Sequence, residues 1–130
     1  MPIDVLLVDD SSVTRRAQRR MLDITGIPTA RVDEASDGLE ALARMRDHRY
    51  DVVLCDLHMP NMGGIAVLAA VRSDEVYRNP VVIFVSSDHS ETRRQRLLAG
   101  GAAAFVRKPL DPERLREVLT ETVPAVREAL

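Results

Sequence analysis

Four apolar runs of the sequence each end in a polar residue that could take part in chemistry. The runs end at Asp9 and Asp10, at Asp56, at Ser86 and at Lys108. Three carboxylates gathered at one place repel one another and raise their pKa values unless a cation joins them. Ligands that are all oxygen favour a hard ion such as Mg²⁺. We therefore predict an Mg²⁺ site, for which Mn²⁺ is an alternative metal.

A divalent cation beside a hydroxyl and an ammonium group forms a pocket for phosphoryl oxygens. In that pocket the metal and Lys108 would neutralise charge, and Ser86 would donate a hydrogen bond. The sequence shows no Ser/His/Asp or Cys/His arrangement that would supply another nucleophile. The candidate nucleophile is therefore an aspartate, which can form an acyl phosphate.

Strands and helices alternate along the chain and must position these residues. Short apolar runs predict five strands, at about 5–8, 31–35, 51–55, 81–85 and 103–106. Five βα units in a row predict a parallel sheet with helices on both faces, because each crossover is right-handed. The carboxyl ends of parallel strands share one edge, so the polar residues that end four of these runs belong to one site.

The helical patterns predict which helix faces are buried. The first helix begins near Ser11 or Ser12 and ends at Gly26, with an apolar face formed by Val13, Ala17, Met21 and Ile24. The second and third helices have apolar faces formed by Leu39, Leu42 and Met45, and by Ile65, Leu68 and Val71. A fourth helix covers about 91–99, and Asp111 caps a fifth helix that Pro124 kinks or ends.

Composition limits the class of protein. The chain has 130 residues and a net charge of -2, which predicts a single domain, 1–130, without an output domain and without direct binding to nucleic acid. A lone cysteine, Cys55, excludes an internal disulfide and predicts a small apolar core residue in a cytoplasmic protein. No apolar run approaches the roughly 20 residues that span a bilayer, so we expect no membrane insertion.

The motifs at the strand ends resemble those of the receiver domain of bacterial two-component response regulators, of the single-domain, CheY-like type. They are Val8-Asp9-Asp10-Ser11, Asp56 followed by Met59-Pro60-Asn61-Met62, Ser86, and Lys108-Pro109. This resemblance extends from residue 5 to about 123. It implies a doubly wound, flavodoxin-like sheet of order 2-1-3-4-5. Strand three is central in that order, so Asp56 is the best-placed acceptor; the resemblance also implies a cis Lys108–Pro109 peptide.

The resemblance implies a phosphorylation-dependent signalling switch. Asp56 would accept a phosphoryl group from a histidine kinase or a histidine phosphotransfer protein. Asp10 would bind Mg²⁺ directly and Asp9 would assist through water, while Asp56 and the backbone carbonyl of His58 would complete the protein ligands. The chain would catalyse only its own phosphorylation and slow autodephosphorylation, as a monomer or a phosphorylation-dependent dimer.

Further residues would carry the switch. Lys108 would pair with the phosphoryl group, Ser86 would move towards it, and Phe105 matches the family's switch aromatic. The surface of helix four, strand five and helix five would then change and control an unknown downstream protein. His58 and Asp88 either tune hydrolysis of the acyl phosphate or are ordinary exposed loop residues. The arginines of helix four either contact a partner or are solvated: Arg93, Arg94 and Arg96.

Three positions depart from the family pattern. Gly63 stands where an aspartate is usual, and as a helix cap it would cost only a few tenths of a kcal/mol. Phe105 lacks the hydroxyl of the usual tyrosine, so no hydrogen bond of that group can hold its ring. Ser87 replaces a smaller residue and would narrow access to the phosphoryl group.

Other functions are alternatives to the switch. A Mg²⁺-dependent phosphatase of the haloacid-dehalogenase type would also form an aspartyl phosphate, but it needs a second aspartate where this chain has His58. A phosphate-relay intermediate or sink would use the same residues as the switch. A flavodoxin-like cofactor binder would need a hydroxyl- or glycine-rich loop after strand one, where Asp9 and Asp10 would repel a phosphate. A receiver that binds partners without phosphorylation would not need the complete set of residues.

Overall fold

The sheet has five parallel strands in the order β2-β1-β3-β4-β5, which confirms the predicted fold. The computed structural model describes residues 2–129, so the predicted domain ends, 1 and 130, lie outside the described range. The strands are β1 (Ile3–Val8), β2 (Thr29–Ala35), β3 (Val52–Cys55), β4 (Val81–Ser86) and β5 (Ala104–Arg107). The helices are α1 (Ser12–Thr25), α2 (Gly38–Asp47), α3 (Gly64–Ser73), α4 (Glu91–Ala99), α5 (Pro112–Thr122) and α6 (Pro124–Ala129).

Helix ends follow the local sequence signals. Asp111 caps α5 by accepting a hydrogen bond from the backbone N–H of Arg114, and Pro112 occupies the first turn. The fifth helix ends at Thr122, just before Pro124, as predicted, and Pro124 begins a separate short helix. A short 3-10 helix, Glu75–Tyr77, was not predicted. Within residues 2–129, the structure contains no helix with the length and apolar character that a bilayer crossing requires.

The core lies on both faces of the sheet. On β3, Val53 and Cys55 pack into the layer beneath α2, α3 and α4, whereas Val52 and Leu54 pack into the layer that α1 and α5 cover. Side chains alternate between the two faces of a strand, so a strand buried on both sides must be apolar at every position. Cys55 is fully buried, which confirms that it is a core residue, and this burial raises the pKa of its thiol.

The predicted apolar face of α1 is wrong at both of its ends. Val13 is 76% exposed and Ile24 is 69% exposed, whereas Gln18, Leu22 and Thr25 are buried. Leu39 in α2 and Ile65 in α3 are also exposed, although each begins a predicted apolar face.

The side of α1 that faces the sheet carries Leu22, which packs into the core layer that α1 and α5 cover. Burial of an apolar side chain stabilises this orientation of the helix. Arg15 and Arg19 lie at the edge of this face and donate to the two carboxylate oxygens of Glu34 in β2, at 2.8 and 2.9 Å. The Thr25 hydroxyl donates to the carbonyl of Leu22 at 2.6 Å, so its burial leaves no unpaired donor.

A close backbone approach holds the segment after β3 in place. Gly64 donates its backbone N–H to the Leu57 carbonyl at 2.9 Å, which closes the loop that follows Asp56. A Cβ at Gly64 would lie 2.6 Å from the carbonyl oxygen of Asp56 and 2.6 Å from the ring of Phe84. Only glycine fits here without displacing the backbone of Asp56.

We predict that Gly64→Ala lowers the free energy of unfolding by about 1–3 kcal/mol, because the added methyl group must push backbone and core atoms apart. Urea denaturation measures this change. Gly100→Ala is the matched control, since its Cβ would come no closer than 3.3 Å to another atom. Equal stability of the two variants would contradict the close approach at Gly64.

Candidate functional site

Three carboxylates meet at the carboxyl ends of β1 and β3. One oxygen from each of Asp9, Asp10 and Asp56 lies within 4.8 Å of the others. Asp9 is buried, Asp56 is half-buried and Asp10 is exposed, so the cluster opens from the sheet edge towards solvent. Among residues 2–129, no other group of three His, Cys, Asp or Glu side chains has this geometry.

Backbone hydrogen bonds continue past the strand ends and fix these residues. The N–H of Asp56 donates to the Val8 carbonyl at 2.8 Å, and the N–H of Asp9 donates to the Ala35 carbonyl at 3.1 Å. The N–H of Lys108 donates to the Ser86 carbonyl at 2.9 Å. The sheet therefore places the polar residues of four neighbouring strands at one edge, as the sequence predicts.

Lys108 provides the positive charge of the site. Its Nζ lies 3.1 Å from Oδ2 of Asp9 and 3.6 Å from Oδ2 of Asp56. Burial acts to lower the pKa of Lys108, but the hydrogen bond to Asp9 and the charge of Asp56 together raise it above its ordinary value. The side chain is therefore an ammonium at neutral pH.

The carboxylate of Asp56 is only partly compensated. Burial raises its pKa above the ordinary value, the charge of Lys108 acts to lower it, and the charge of Asp9 raises it again. One oxygen, Oδ1, accepts a hydrogen bond from the backbone N–H of Leu57 at 2.8 Å. Three clustered carboxylates with one ammonium fit a hard divalent cation, because the donors are oxygens and their negative charge exceeds that of the lysine.

Ser86 and Asp88 lie at the end of β4. Ser86 is buried, and its Oγ accepts a hydrogen bond from the backbone N–H of Asp88 at 3.2 Å. The side chain of Asp88 is only 9% exposed, so the alternative in which it is an ordinary exposed loop residue does not hold. The backbone N–H of Ser90 and the ring of His58 lower the pKa of Asp88 to about 2.

His58 and Arg93 both contact Asp88. Nε2 of His58 lies 2.8 Å from Oδ2 of Asp88, and the guanidinium of Arg93 donates to the same oxygen. His58 itself is 64% exposed. Arg93 was expected to contact a partner or to be solvated, and its contact with Asp88 was not predicted. The one sequence signal for this contact is a basic residue five positions after Asp88, in the first turn of α4.

The other residues predicted from the family motifs are Phe105, Pro109, Gly63 and Ser87. Phe105 is 9% exposed and packs in the core, where it pairs with Phe84 across β4 and β5. The Lys108–Pro109 peptide is cis. Gly63 is the N-cap of α3, where no side chain accepts a capping hydrogen bond. Ser87 is exposed.

Comparison with protein families matches residues 5–120 to the response regulator receiver domain. A curated relative, the polar-differentiation response regulator DivK of Brucella anthropi, is 30% identical over 119 residues, which are 92% of this chain and 94% of the relative.

Solved structures show the same architecture. The Vibrio cholerae chemotaxis protein CheY4 has a TM-score of 0.83 and 32% identity, covering 95% of this chain and 100% of that chain. A chain of the CheX-CheY-BeF3-Mg²⁺ complex from Borrelia burgdorferi has a TM-score of 0.80 and 30% identity, covering 93% and 89%. The signal receiver domain of the putative response regulator NarL from Mycobacterium tuberculosis has a TM-score of 0.82 and 32% identity, covering 92% and 94%.

The family match and the relatives cover nearly all of the chain, and the fold and the acidic cluster agree with them. Proteins of this kind are signalling switches of two-component systems rather than turnover enzymes. The chain belongs to the response regulator receiver domain family and is CheY-like.

Proposed function

We propose that this chain is a phosphorylation-dependent switch, and that Asp56 accepts a phosphoryl group from a phosphohistidine on a histidine kinase or a histidine phosphotransfer protein. One observation carries the proposal. Asp56 directly follows the central strand, β3. Its carboxylate has oxygens of Asp9 and Asp10 within 4.8 Å and Nζ of Lys108 at 3.6 Å. This arrangement supports an acceptor with counter-charges on both sides once a cation is bound.

In the transfer step, a carboxylate oxygen of Asp56 forms a bond to phosphorus while the phosphorus–nitrogen bond of the phosphohistidine breaks. The electron pair of that bond remains on the imidazole nitrogen, which takes a proton from solvent. The product is an acyl phosphate on Asp56. Water later attacks phosphorus, which returns the Asp56 carboxylate and releases inorganic phosphate.

The metal ligands that we propose are Asp9, Asp10, Asp56 and the backbone carbonyl of His58. A bound Mg²⁺ would offset the charge that develops on the phosphoryl oxygens. Burial and the charge of Asp9 raise the pKa of Asp56, and a cation would stabilise the charged carboxylates, which supports this assignment. The Borrelia burgdorferi relative contains BeF3 and Mg²⁺ in its complex, which also supports it.

Lys108 and Ser86 complete the proposed site. Lys108 already bridges Asp9 and Asp56, so its ammonium can pair with a phosphoryl oxygen without a large movement. Oγ of Ser86 accepts a hydrogen bond from the N–H of Asp88, so its hydroxyl hydrogen is free to donate to a phosphoryl oxygen when Ser86 moves towards it. That movement would change the surface formed by α4, β5 and α5, which includes Phe105, and so control a downstream protein.

We propose a single receiver domain that acts in the cytoplasm, as a monomer or a phosphorylation-dependent dimer. His58 stands where a haloacid-dehalogenase-type phosphatase needs its second aspartate, which favours the switch over that alternative.

We predict that Asp56→Asn abolishes labelling by acetyl phosphate in the presence of Mg²⁺, because the amide cannot form the acyl phosphate. Intact-protein mass spectrometry measures the labelled fraction. Asp23→Asn, an exposed aspartate on α1, is the matched control and should be labelled like the unaltered protein. Labelling that persists in Asp56→Asn would mean that another residue is the acceptor.

We predict that Lys108→Arg weakens binding of beryllofluoride with Mg²⁺ roughly tenfold, because a planar guanidinium cannot replace a compact ammonium at this depth. NMR titration measures the affinity. Arg107→Lys, the exposed neighbouring residue, makes the reverse exchange and should bind as the unaltered protein does. Unchanged affinity in Lys108→Arg would remove Lys108 from the proposed role.

A further inference from the structure

Asp88 connects the loop after β3 to the continuous segment that runs from the end of β4 into the first turn of α4. Its Oδ2 accepts from His58 of the β3–α3 loop at 2.8 Å and from Arg93 of α4. Its Oδ1 accepts from the backbone N–H of Ser90 at 2.7 Å, and its own N–H donates to Oγ of Ser86 at 3.2 Å. We call Asp88 with these four contacts the Asp88 junction.

The junction is well placed to restrain the loop between β4 and α4. The Asp88 side chain is only 9% exposed, and both of its oxygens are engaged. Arg93 is 39% exposed and is held by the first turn of α4, where Ser90 caps the helix by accepting from the N–H of Arg93 at 3.2 Å. The positive charge that holds Asp88 therefore belongs to a residue fixed in the first turn of a helix.

Movement of Ser86 affects Asp88 because the two residues share a hydrogen bond. They are two positions apart, and the backbone N–H of Asp88 donates to Oγ of Ser86 at 3.2 Å. A movement of the Ser86 hydroxyl towards Asp56 would break this bond, while Arg93 and His58 hold the Asp88 side chain.

The aromatic position offers no comparable restraint. Phe105 has no hydroxyl, and its ring already lies in the core at 9% exposure. The switching movement in this chain is therefore expected at Ser86 and its loop rather than at Phe105.

We propose that Arg93 is a positioning residue that, through Asp88, holds the Ser86 loop in its present arrangement and so opposes a switching movement of Ser86. This inference rests on the proposed phosphorylation of Asp56. A ligand that draws Ser86 towards Asp56 works against the Arg93–Asp88 contact, so loss of that contact makes the switched arrangement more accessible.

The test compares Arg93→Ala with Arg94→Ala, its neighbour on α4. Arg94 has similar exposure, 40%, but pairs with Glu91 of its own helix. We expect Arg93→Ala to bind beryllofluoride with Mg²⁺ about two- to fivefold more tightly than the unaltered protein, as for a partly exposed ion pair. Arg94→Ala should change the affinity less than twofold, and Arg93→Lys should restore most of the original value. Equal or weaker binding by Arg93→Ala would overturn the proposal.

Amide hydrogen exchange without any ligand separates this inference from the proposed function. The N–H groups of Asp88 and Ser90 should exchange faster in Arg93→Ala than in Arg94→Ala, because their acceptors belong to the junction. Unchanged protection in Arg93→Ala would overturn the restraint even where Asp56 is phosphorylated normally. If the unaltered protein fails to bind beryllofluoride, the proposed function fails, and faster exchange still supports the restraint on the loop.

Discussion

The site depends on one electrostatic constraint, which is that three carboxylates share an edge with one ammonium. Asp9 is almost fully buried, and such a carboxylate is costly unless a donor or a cation compensates it. Lys108 supplies part of that compensation by bridging Asp9 and Asp56. The remaining negative charge creates the place for a divalent cation, and the cation would in turn make the edge attractive to a phosphoryl group. Lys108 is also the only lysine among the 18 Lys and Arg residues of the chain.

The apolar core on both faces of the sheet stabilises this unfavourable cluster of carboxylates. Every residue of β3 is buried, and the strands on either side of it continue their hydrogen bonds to the site residues. The apolar burial on both faces therefore stabilises a sheet edge where like charges meet. Gly64 adds a local requirement, because the loop that leaves Asp56 returns closely against its carbonyl oxygen.

The Asp88 junction connects this rigid edge to a helix on the surface. Most of the charged residues of α4 point to solvent, but Arg93 reaches back to Asp88, whose backbone binds the Ser86 hydroxyl. A charge-assisted contact of this kind is strong enough to bias two arrangements of a loop and weak enough to break when a ligand competes for it. The coupling between site and surface in this chain thus passes through a salt bridge rather than through an aromatic hydroxyl.

Local signals in the sequence are enough to predict the carboxyl ends of the strands, the parallel sheet and the residues of the acidic edge. Continuous apolar runs and capping residues are such signals, and the carboxyl ends of parallel strands must share an edge. The strand order and the residue roles were inferred from the family motifs. The exposure of Val13 and Ile24 depends instead on tertiary packing, because Leu22 on the neighbouring side of α1 packs into the core. The contact between His58 and Asp88 also depends on the tertiary structure, since it joins two loops that lie 30 residues apart in the sequence.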